Sequence, residues 1–471
     1  MPSDLHISLD RTTSVSLSDQ IRLSISKAIE SGLLAPGTRL PSWLDLAAQL
    51  GVARGTVQLA YERLTDAQMI EASRSTGTRV CQRPRVNVAR PETFPTGSFI
   101  ETYQEMTAGP AIFRIGIPAW DGHPSKLFER IRSHSLKTEL TAPALYPDPR
   151  GELELRREIA AYLAIARGIH CYPEQIIITT GFSGGLGLAL RALRLEGRKA
   201  WIEDPGFLFT RKGLEVSGLK VVPVPVDDEG INVDRGIELS PDAALAVVTP
   251  GQQAPVGVTL SLNRRMQLLD WARSNDAWII EDDYLSELQL VGRAAPALGS
   301  LDDANRVIHI GTFSKTVSPA MRLGFLVAPS ELASAFTDVA ATLAPAPWPA
   351  LQLATAYFMR EGHYLRHLRR IKRLYAVQRD ALTAELNDRG ARWTNAGLAI
   401  LLRLPKGSQD VEIAHEAIAF GLAPSPLSRW YADTGYAQQG LLLGVATAPE
   451  RHLAKSCRRL FEVIKRCSTN E

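Results

Sequence analysis

The run GTFSKTVSPAMRLGF, which starts at Gly311, places Lys315 behind the hydroxyls of Thr312 and Ser314 and ahead of Arg322. A second run, IIEDDY, lies a short way upstream and ends on Asp282, Asp283 and Tyr284. Both follow apolar stretches that read as buried strands. A lysine at such a strand end loses its proton readily, because burial penalises the ammonium form, and becomes a nucleophile toward carbonyl carbon. A carboxylate facing a pyridine nitrogen keeps that nitrogen protonated and turns the ring into an electron sink, and Asp282 suits that role. Tyr284, two residues on, can reach a ring hydroxyl and tune its proton. Arg322 with Thr312 and Ser314 provides the fixed cation and neutral donors that a phosphate requires. These residue types in this order suit pyridoxal 5'-phosphate held as a Schiff base on Lys315.

The elements that must position these groups can be read around them. A second phosphate-binding donor set is expected where a strand turns through glycine into a helix, because free backbone amides and the helix dipole meet there. IIITTGFSGGLGLAL, from Ile176, has that form and offers Gly181, Phe182 and Ser183. Apolar strand patterns at 176–179, 221–226, 245–249, 278–281 and 307–310 alternate with helical ones. This predicts an α/β fold with a mainly parallel sheet and ligands at the carboxyl ends of its strands. The segment 349–386 reads as one long interdomain helix leading to a small C-terminal subdomain. Within it His363 and His367 are one helical turn apart, but no acidic or cysteine partner accompanies them, so no metal site is expected.

From about Phe113 to the end the chain resembles a fold-type I, class I aminotransferase. The resemblance rests on YPDPRG at Tyr146, TTGFSGG at Thr179, EDPGF at Glu203, EDDY at Glu281 and TFSK at Thr312. It implies that Phe207 stacks on the cofactor ring and that Tyr146 reaches the phosphate from the partner subunit of a dimer. Taken on their own, Phe207 could be a core aromatic after a tight turn, and Tyr146 a residue preceding a helix. Two departures stand out. Class I transaminases have an asparagine before the proline of an NPTG-like turn, where QQAPVG has Ala254; they also clamp the substrate carboxylate with a late-strand arginine, where GLLLGVA has Leu442. Without that bidentate clamp an α-amino acid loses both charge-assisted bonds and its orientation. Arg211 and Arg429 are candidates to hold an acid at another distance.

The N-terminus reads as an independent module. Apolar residues at helical spacing from Leu17 stop at Ala35-Pro36-Gly37, a breaker. In LPSWLDLAAQLGVARGTVQLAYERL, Ser42 can cap a helix with Asp45 in a shortened capping box. Gly51 ends that helix, and a second begins at Arg54 with Val57, Leu59, Tyr61 and Leu64 inward. Two short helices on a tight glycine turn read as a helix-turn-helix, and SRSTGTRV from Ser73 suits a two-stranded wing. The segment is similar to the winged helix-turn-helix domain of the GntR family. That resemblance assigns Arg54, Gly55, Thr56, Gln58 and Arg63 to the recognition helix, and Arg74, Thr78 and Arg79 to the wing. Leu44 stands where the family usually has a phosphate-contacting arginine.

Composition bounds the rest. The chain has 471 residues, 45% of them hydrophobic, and a formal net charge of +3, which gives no general case for nucleic acid. Locally, Arg74, Arg79, Arg83, Arg85 and Arg90 run without an intervening acid, as a phosphate-following stretch would. Cys81, Cys171, Cys457 and Cys467 show no metal or redox spacing and suggest a reducing cytosol. No apolar run has signal-peptide or membrane-spanning character, so a cytoplasmic protein with no membrane partner is expected. The domain boundaries read as 1–81 for the DNA-binding domain, 82–112 for a proline-rich, extended linker, and 113–471 for the aminotransferase-like domain.

In this order the two modules resemble the MocR-type branch of the GntR regulators, in which a winged helix-turn-helix is fused to an aminotransferase-like domain. The resemblance implies a homodimer, domain-swapped between subunits, that binds double-stranded operator DNA. A small amine or amino-acid-like effector, or pyridoxal phosphate itself, would act at Lys315. With Ala254 and Leu442 in place, sensing is favoured over catalytic turnover. An active aminotransferase with an accessory DNA-binding domain is the alternative.

Overall fold

The computed structural model describes residues 7–13, 15–73, 77–81, 98–107, 112–119, 126–141, 145–290, 292, 294–405, 407–448 and 451–468. The chain forms two compact units, Met1–Ile100 and Glu101–Glu471.

In the first unit, helices Leu17–Glu30, Trp43–Leu50 and Arg54–Asp66 precede two strands, Ile70–Ser73 and Gly77–Val80, paired antiparallel. Ser42 caps the second helix by accepting the Asp45 amide at 3.1 Å. The Asp45 carboxylate takes the Ser42 hydroxyl proton at 2.7 Å, so only half of the reciprocal capping box forms. Gly51, at φ 61°, ends that helix in the left-handed region that glycine enters without penalty. A core of Ile21, Ile25, Leu46, Val57, Ala60, Tyr61 and Leu64 closes the inner faces. Leu59, expected inward, is 40% exposed; Ala60 takes the inner position, since a helical face through Val57, Tyr61 and Leu64 includes 60 and excludes 59.

The stretch expected to be an extended linker contains a helix, Ser98–Thr107. Phe99, Tyr103 and Met106 recur at helical spacing. Tyr103 meets the ring of Phe209 edge-on at 5.7 Å, and the Met106 carbonyl accepts the Arg114 guanidinium at 2.6 Å. Residues 101–107 of this stretch are therefore part of the second unit.

Among the described residues of that unit, an eight-stranded sheet takes its strands in the order Ile176–Thr179, Gly324–Val327, Val307–Thr312, Trp278–Asp283, Leu245–Val248, Lys199–Asp204, Lys220–Asp227 and Gly230–Ile231. Gly324–Val327 and Gly230–Ile231 run against their neighbours, and the others are mutually parallel. Strands such as Ile176–Thr179 and Val307–Thr312 are buried along their whole length, as expected where helices cover both faces. Helix Phe182–Leu193 packs on one face through Leu186, Ala189 and Leu190, against Ile177, Ile308 and Ile310. The expected long interdomain helix is two, Pro349–Arg360 and His363–Asn387, broken at Gly362 with φ 67°. A four-stranded antiparallel sheet forms the small subdomain, in the order Trp393–Ala396, Ala399–Arg403, Gly440–Gly444 and Ser425–Pro426.

Candidate functional site

Strands Trp278–Asp283 and Val307–Thr312 are parallel neighbours, with Asp282 opposite Ile310 and Asp283 opposite Gly311. Their carboxyl ends deliver Asp282, Tyr284, Thr312, Ser314 and Lys315 to one edge. The two-residue period of the first strand sends Asp282 to one face and Glu281 and Asp283 to the other. Asp282 is 6% exposed and its Oδ1 has no hydrogen-bond partner. Burial, reinforced by the neighbouring Asp283, pushes its carboxyl well above the usual range, and only Lys315 pulls it back. Lys315 is half-buried; burial lowers its amine against the pull of Asp282, and Nζ donates to the Gly116 carbonyl at 2.6 Å.

A buried carboxylate oxygen without a donor is costly and rare. A protonated ring nitrogen would satisfy it, so the residues present fit a pyridinium-bearing group joined to Lys315. Tyr284 sits partly buried among apolar residues, where burial raises its phenol and keeps it a neutral donor.

The phosphate end fits equally well. Gly181, at φ 82°, turns the chain from strand Ile176–Thr179 into helix Phe182–Leu193, a conformation that a β-carbon would strain. Its N-cap carries no side-chain bond, so the amides of the first turn face outward. A β-carbon on Gly181 would lie 4.0 Å from Ser314 Oγ, which places the two segments side by side. Thr312 Oγ1 donates to Ser314 Oγ at 3.0 Å and accepts the Ser314 amide at 3.1 Å. Gly324 pairs with both Thr312 and Thr179, and Arg322 precedes it by two residues, exposed and without an ion pair among the described residues. Lys315, Asp282, Tyr284, Thr312, Ser314, Arg322 and the Gly181–Ser183 turn thus belong to one region.

The ring of Phe207 is 6.3 Å from that of Phe182 and 5.9 Å from that of Trp430, between the phosphate turn and the small subdomain. Tyr146 is fully exposed. Arg211 donates to the Tyr431 carbonyl at 3.2 Å, and Arg429 forms an exposed ion pair with Glu105 at 2.8 Å. His367 shares a hydrogen with the Thr316 carbonyl at 2.6 Å and His363 with Arg366 at 2.6 Å.

Two buried networks were not anticipated. On the far side of Asp282, Glu281 accepts the Leu298 and Gly299 amides at 2.7 and 3.0 Å and bonds His309 Nδ1 at 3.0 Å. Burial opposes the His309 charge, but Glu281 and Asp283 outweigh it and raise the imidazole. Arg167 closes the group on Asp283 at 2.7 Å. In the second network, Glu203 accepts the Thr249 amide and hydroxyl and the Gln253 amide group, and burial pushes its carboxyl up to about 7. Gln253 also donates to the carbonyls of Pro205 and Ala254, tying the EDPGF and QQAPVG loops together. The acids flanking Asp282 and His309 opposite Glu281 were visible signals; the reach from 203 to 253 was not.

In the first unit, Arg54, Gly55 and Gln58 are exposed on helix Arg54–Asp66 and Thr56 is partly so. Arg63 is committed to Asp19 at 2.7 Å, and Arg79 to the Gly37 carbonyl at 2.8 Å. Thr78 lies in the second wing strand, and Arg74 lies outside the described residues. Leu44, where a phosphate-contacting arginine is usual, is exposed. Arg39 lies over the start of that strand, its Nε 3.1 Å from where a Gly77 β-carbon would stand.

Comparison with known proteins agrees with this division. Residues 17–80 match the family model of bacterial regulatory proteins, gntR family, and residues 119–419 match that of aminotransferase class I and II. The chain is 34% identical over 454 residues to the protein named "Probable rhizopine catabolism regulatory protein MocR" of Rhizobium meliloti, covering 93% of this chain and 92% of that one. It is 32% identical over 453 residues, 96% of each chain, to the HTH-type pyridoxine biosynthesis transcriptional regulator PdxR of Corynebacterium glutamicum. Among solved structures, an archaeal alanine:glyoxylate aminotransferase superposes with a TM-score of 0.71 at 25% identity, covering 79% of this chain and 96% of that one. The α-aminoadipate aminotransferase LysN of Thermus thermophilus, complexed with N-(5'-phosphopyridoxyl)-L-leucine, gives 0.69 at 25% identity, covering 78% and 95%. With a DNA-binding winged helix-turn-helix followed by an aminotransferase-like body, the chain belongs to the MocR-type branch of the GntR transcriptional regulators.

Proposed function

We propose that this regulator holds pyridoxal 5'-phosphate on Lys315 and uses the site to sense a small amine or amino compound, with DNA binding as the output. The observation that carries the reading is the unpartnered Oδ1 of buried Asp282 on the wall that faces Lys315. When bound, the cofactor supplies a carbonyl carbon that amines attack and a ring that withdraws electrons. Asp282 would hold the ring nitrogen, Tyr284 the ring hydroxyl and Phe207 the ring face. The Gly181–Ser183 turn with Thr312, Ser314 and Arg322 would hold the phosphate, joined by Tyr146 from a second copy. Arg54, Gly55, Thr56, Gln58 and Arg63 are the base-edge and phosphate contacts proposed for the recognition helix, with Arg74, Thr78 and Arg79 on the wing. Arg211 and Arg429 remain the candidate effector cations, although each is engaged elsewhere. A homodimer is supported by the apolar side chains left on the surface: Leu140, Leu145, Tyr146, Leu343 and Trp348 are each at least 66% exposed. Exchange of the N-terminal units between subunits belongs to the same reading, as does a place in the cytoplasm with the DNA. No helix among the described residues is long and apolar enough to cross a membrane.

For a ligand to alter DNA binding it must interact differently with two arrangements of the protein, since equal affinity would shift nothing. Lys315 offers such a difference, because its amine either keeps the Gly116 carbonyl or gives it up. The test has two parts. Purified protein is mixed with pyridoxal phosphate, reduced with borohydride and digested, and the modified peptide should carry Lys315; protein that takes up no label overturns the cofactor reading. Anisotropy of DNA from upstream of the protein's own coding region is then followed while amines are added. A changed affinity supports sensing, whereas bulk conversion of amino acid and keto acid pairs with DNA affinity unmoved favours the alternative, an active aminotransferase.

A further inference from the structure

The strand Gly440–Gly444 alternates between two environments. Leu441 and Leu443 enter the main core of the body, whereas Leu442, 1% exposed, faces the other way with Leu401, its partner in the sheet. On that side it joins Ala254, Leu427, Trp430 and Tyr431, and the cluster continues without a break to Phe207 and Tyr284, the rings expected to meet the cofactor. The wall that carries Phe207 and Tyr284 is therefore hydrocarbon at the position where, by the resemblance, class I transaminases carry a guanidinium.

The polar groups around this wall do not replace that cation. Arg114 precedes Ile115 of the cluster and is directed to the Met106 carbonyl. Arg211 is directed to the Tyr431 carbonyl and Arg429 to Glu105. Gln252 donates to the Leu285 carbonyl, and Gln253 is held by Glu203, Pro205 and Ala254. The ionisable groups that act on Tyr284 of this wall, Asp282 and Glu203, are both acids, and Arg403, which acts on Tyr431, is exposed and donates to Gln438 at 2.9 Å. A carboxylate carried beside the ligand's amine would be desolvated against leucine, alanine and tryptophan with no bidentate partner, a strongly unfavourable burial. An apolar substituent there gains by leaving water.

Resting on the proposed amine-sensing site, we infer that its ligand is a primary amine with an apolar or aromatic body and no carboxylate on the carbon that bears the nitrogen, and that Leu442 sets this preference. The probes are matched pairs that differ only in that carboxylate: 2-phenylethylamine with L-phenylalanine, and 3-methylbutylamine with L-leucine. They are titrated into the cofactor-loaded full chain at equal free-base concentration. Two readouts are taken, the visible absorbance band of the bound cofactor and the anisotropy of labelled operator DNA.

The amine of each pair should act at a concentration at least tenfold below that of the amino acid in both readouts. Leu442→Arg should invert the order by about tenfold or more, as a charge-assisted bidentate pair would. If the arginine does not fold in that apolar setting, Leu442→Ala serves instead and should weaken both amines by several fold while leaving the amino acids unchanged. Amino acids that match or beat their amines in the native chain overturn the inference and leave amine sensing standing. Silence of both classes, with Lys315 still reducible onto the cofactor, overturns both.

Discussion

In the N-terminal unit the candidate DNA contacts Arg54, Gly55 and Gln58 stand in solvent, on a helix whose inner face is closed by Val57, Ala60, Tyr61 and Leu64. In the body, polar groups have been taken inside and left incomplete: Asp282 Oδ1, Arg167 Nη2 and Glu287 Oε2 are buried with no hydrogen-bond partner. Among the described residues, the buried polar atoms in this condition all lie in the second unit. A surface that recognises a polyanion needs only to present its donors, because the partner arrives with its own solvent and counterions. A pocket that takes a small ligand must set aside unmet groups before the ligand comes, at a cost in stability. The two units are built for partners of different size.

That contrast can be broken most decisively at Lys315. Lys315→Ala should abolish borohydride-fixed label entirely while the protein still binds nonspecific DNA, as mass spectrometry and anisotropy would show. Arg54→Ala should do the reverse, lowering operator affinity by roughly 10- to 100-fold, the usual range for one specific contact, with label at Lys315 undiminished.

Asp282→Asn should separate stability from binding. Without the buried carboxyl, the ligand-free protein at pH 8 should gain about 1 kcal/mol or more in denaturant unfolding, while affinity for pyridoxal phosphate falls at least tenfold.

The pH dependence of unfolding sharpens the same point. Glu203 has a carboxyl raised from its usual 4.5 to about 7, so its contribution to stability is fully present below 4.5 and is lost as the pH rises to about 7. Glu203→Gln should flatten the fall in stability over that window, a change on the order of 3 kcal/mol at most. The smallest effect is expected at the surface: the Arg63 and Asp19 side chains are 45% and 32% exposed, so solvent screens their pair and Arg63→Ala should leave the unfolding midpoint almost unchanged. A large loss there would place unmet interior groups in the N-terminal unit too.

What could be read from the residues alone follows the range of the interactions. Asp282, Tyr284, Thr312, Ser314 and Lys315 were legible because each sits within a few residues of a strand end, and two neighbouring parallel strands bring their ends together without further information. Gly51 and Gly181 were legible because only glycine takes their backbone angles freely. The helix Ser98–Thr107 was hidden by the prolines before it, and its apolar spacing counts only once Phe209 is there to meet Tyr103. That Arg63 also pairs with Asp19 was not legible, because the partner comes from 44 residues away. The Glu203 and Gln253 pairing spans 50 residues and joins the end of strand Lys199–Asp204 to the loop after Leu245–Val248, an approach set by the sheet order. Burial of charge, more than any motif, is what single residues fail to announce.

Gly444 ends the small-subdomain strand directly beneath the Arg114 carbonyl, which would lie 2.1 Å from any β-carbon placed there. Its amide donates to the Phe113 carbonyl at 2.8 Å, and Thr447 holds the Arg114 carbonyl at 2.8 Å. The strand and the segment 113–116 are therefore geared together, with no slack between them. The tooth at the end of that gear is the Gly116 carbonyl on the Lys315 amine. Any displacement of Gly444 would therefore have to pass through residues 113–116 to the carbonyl that the Lys315 amine holds.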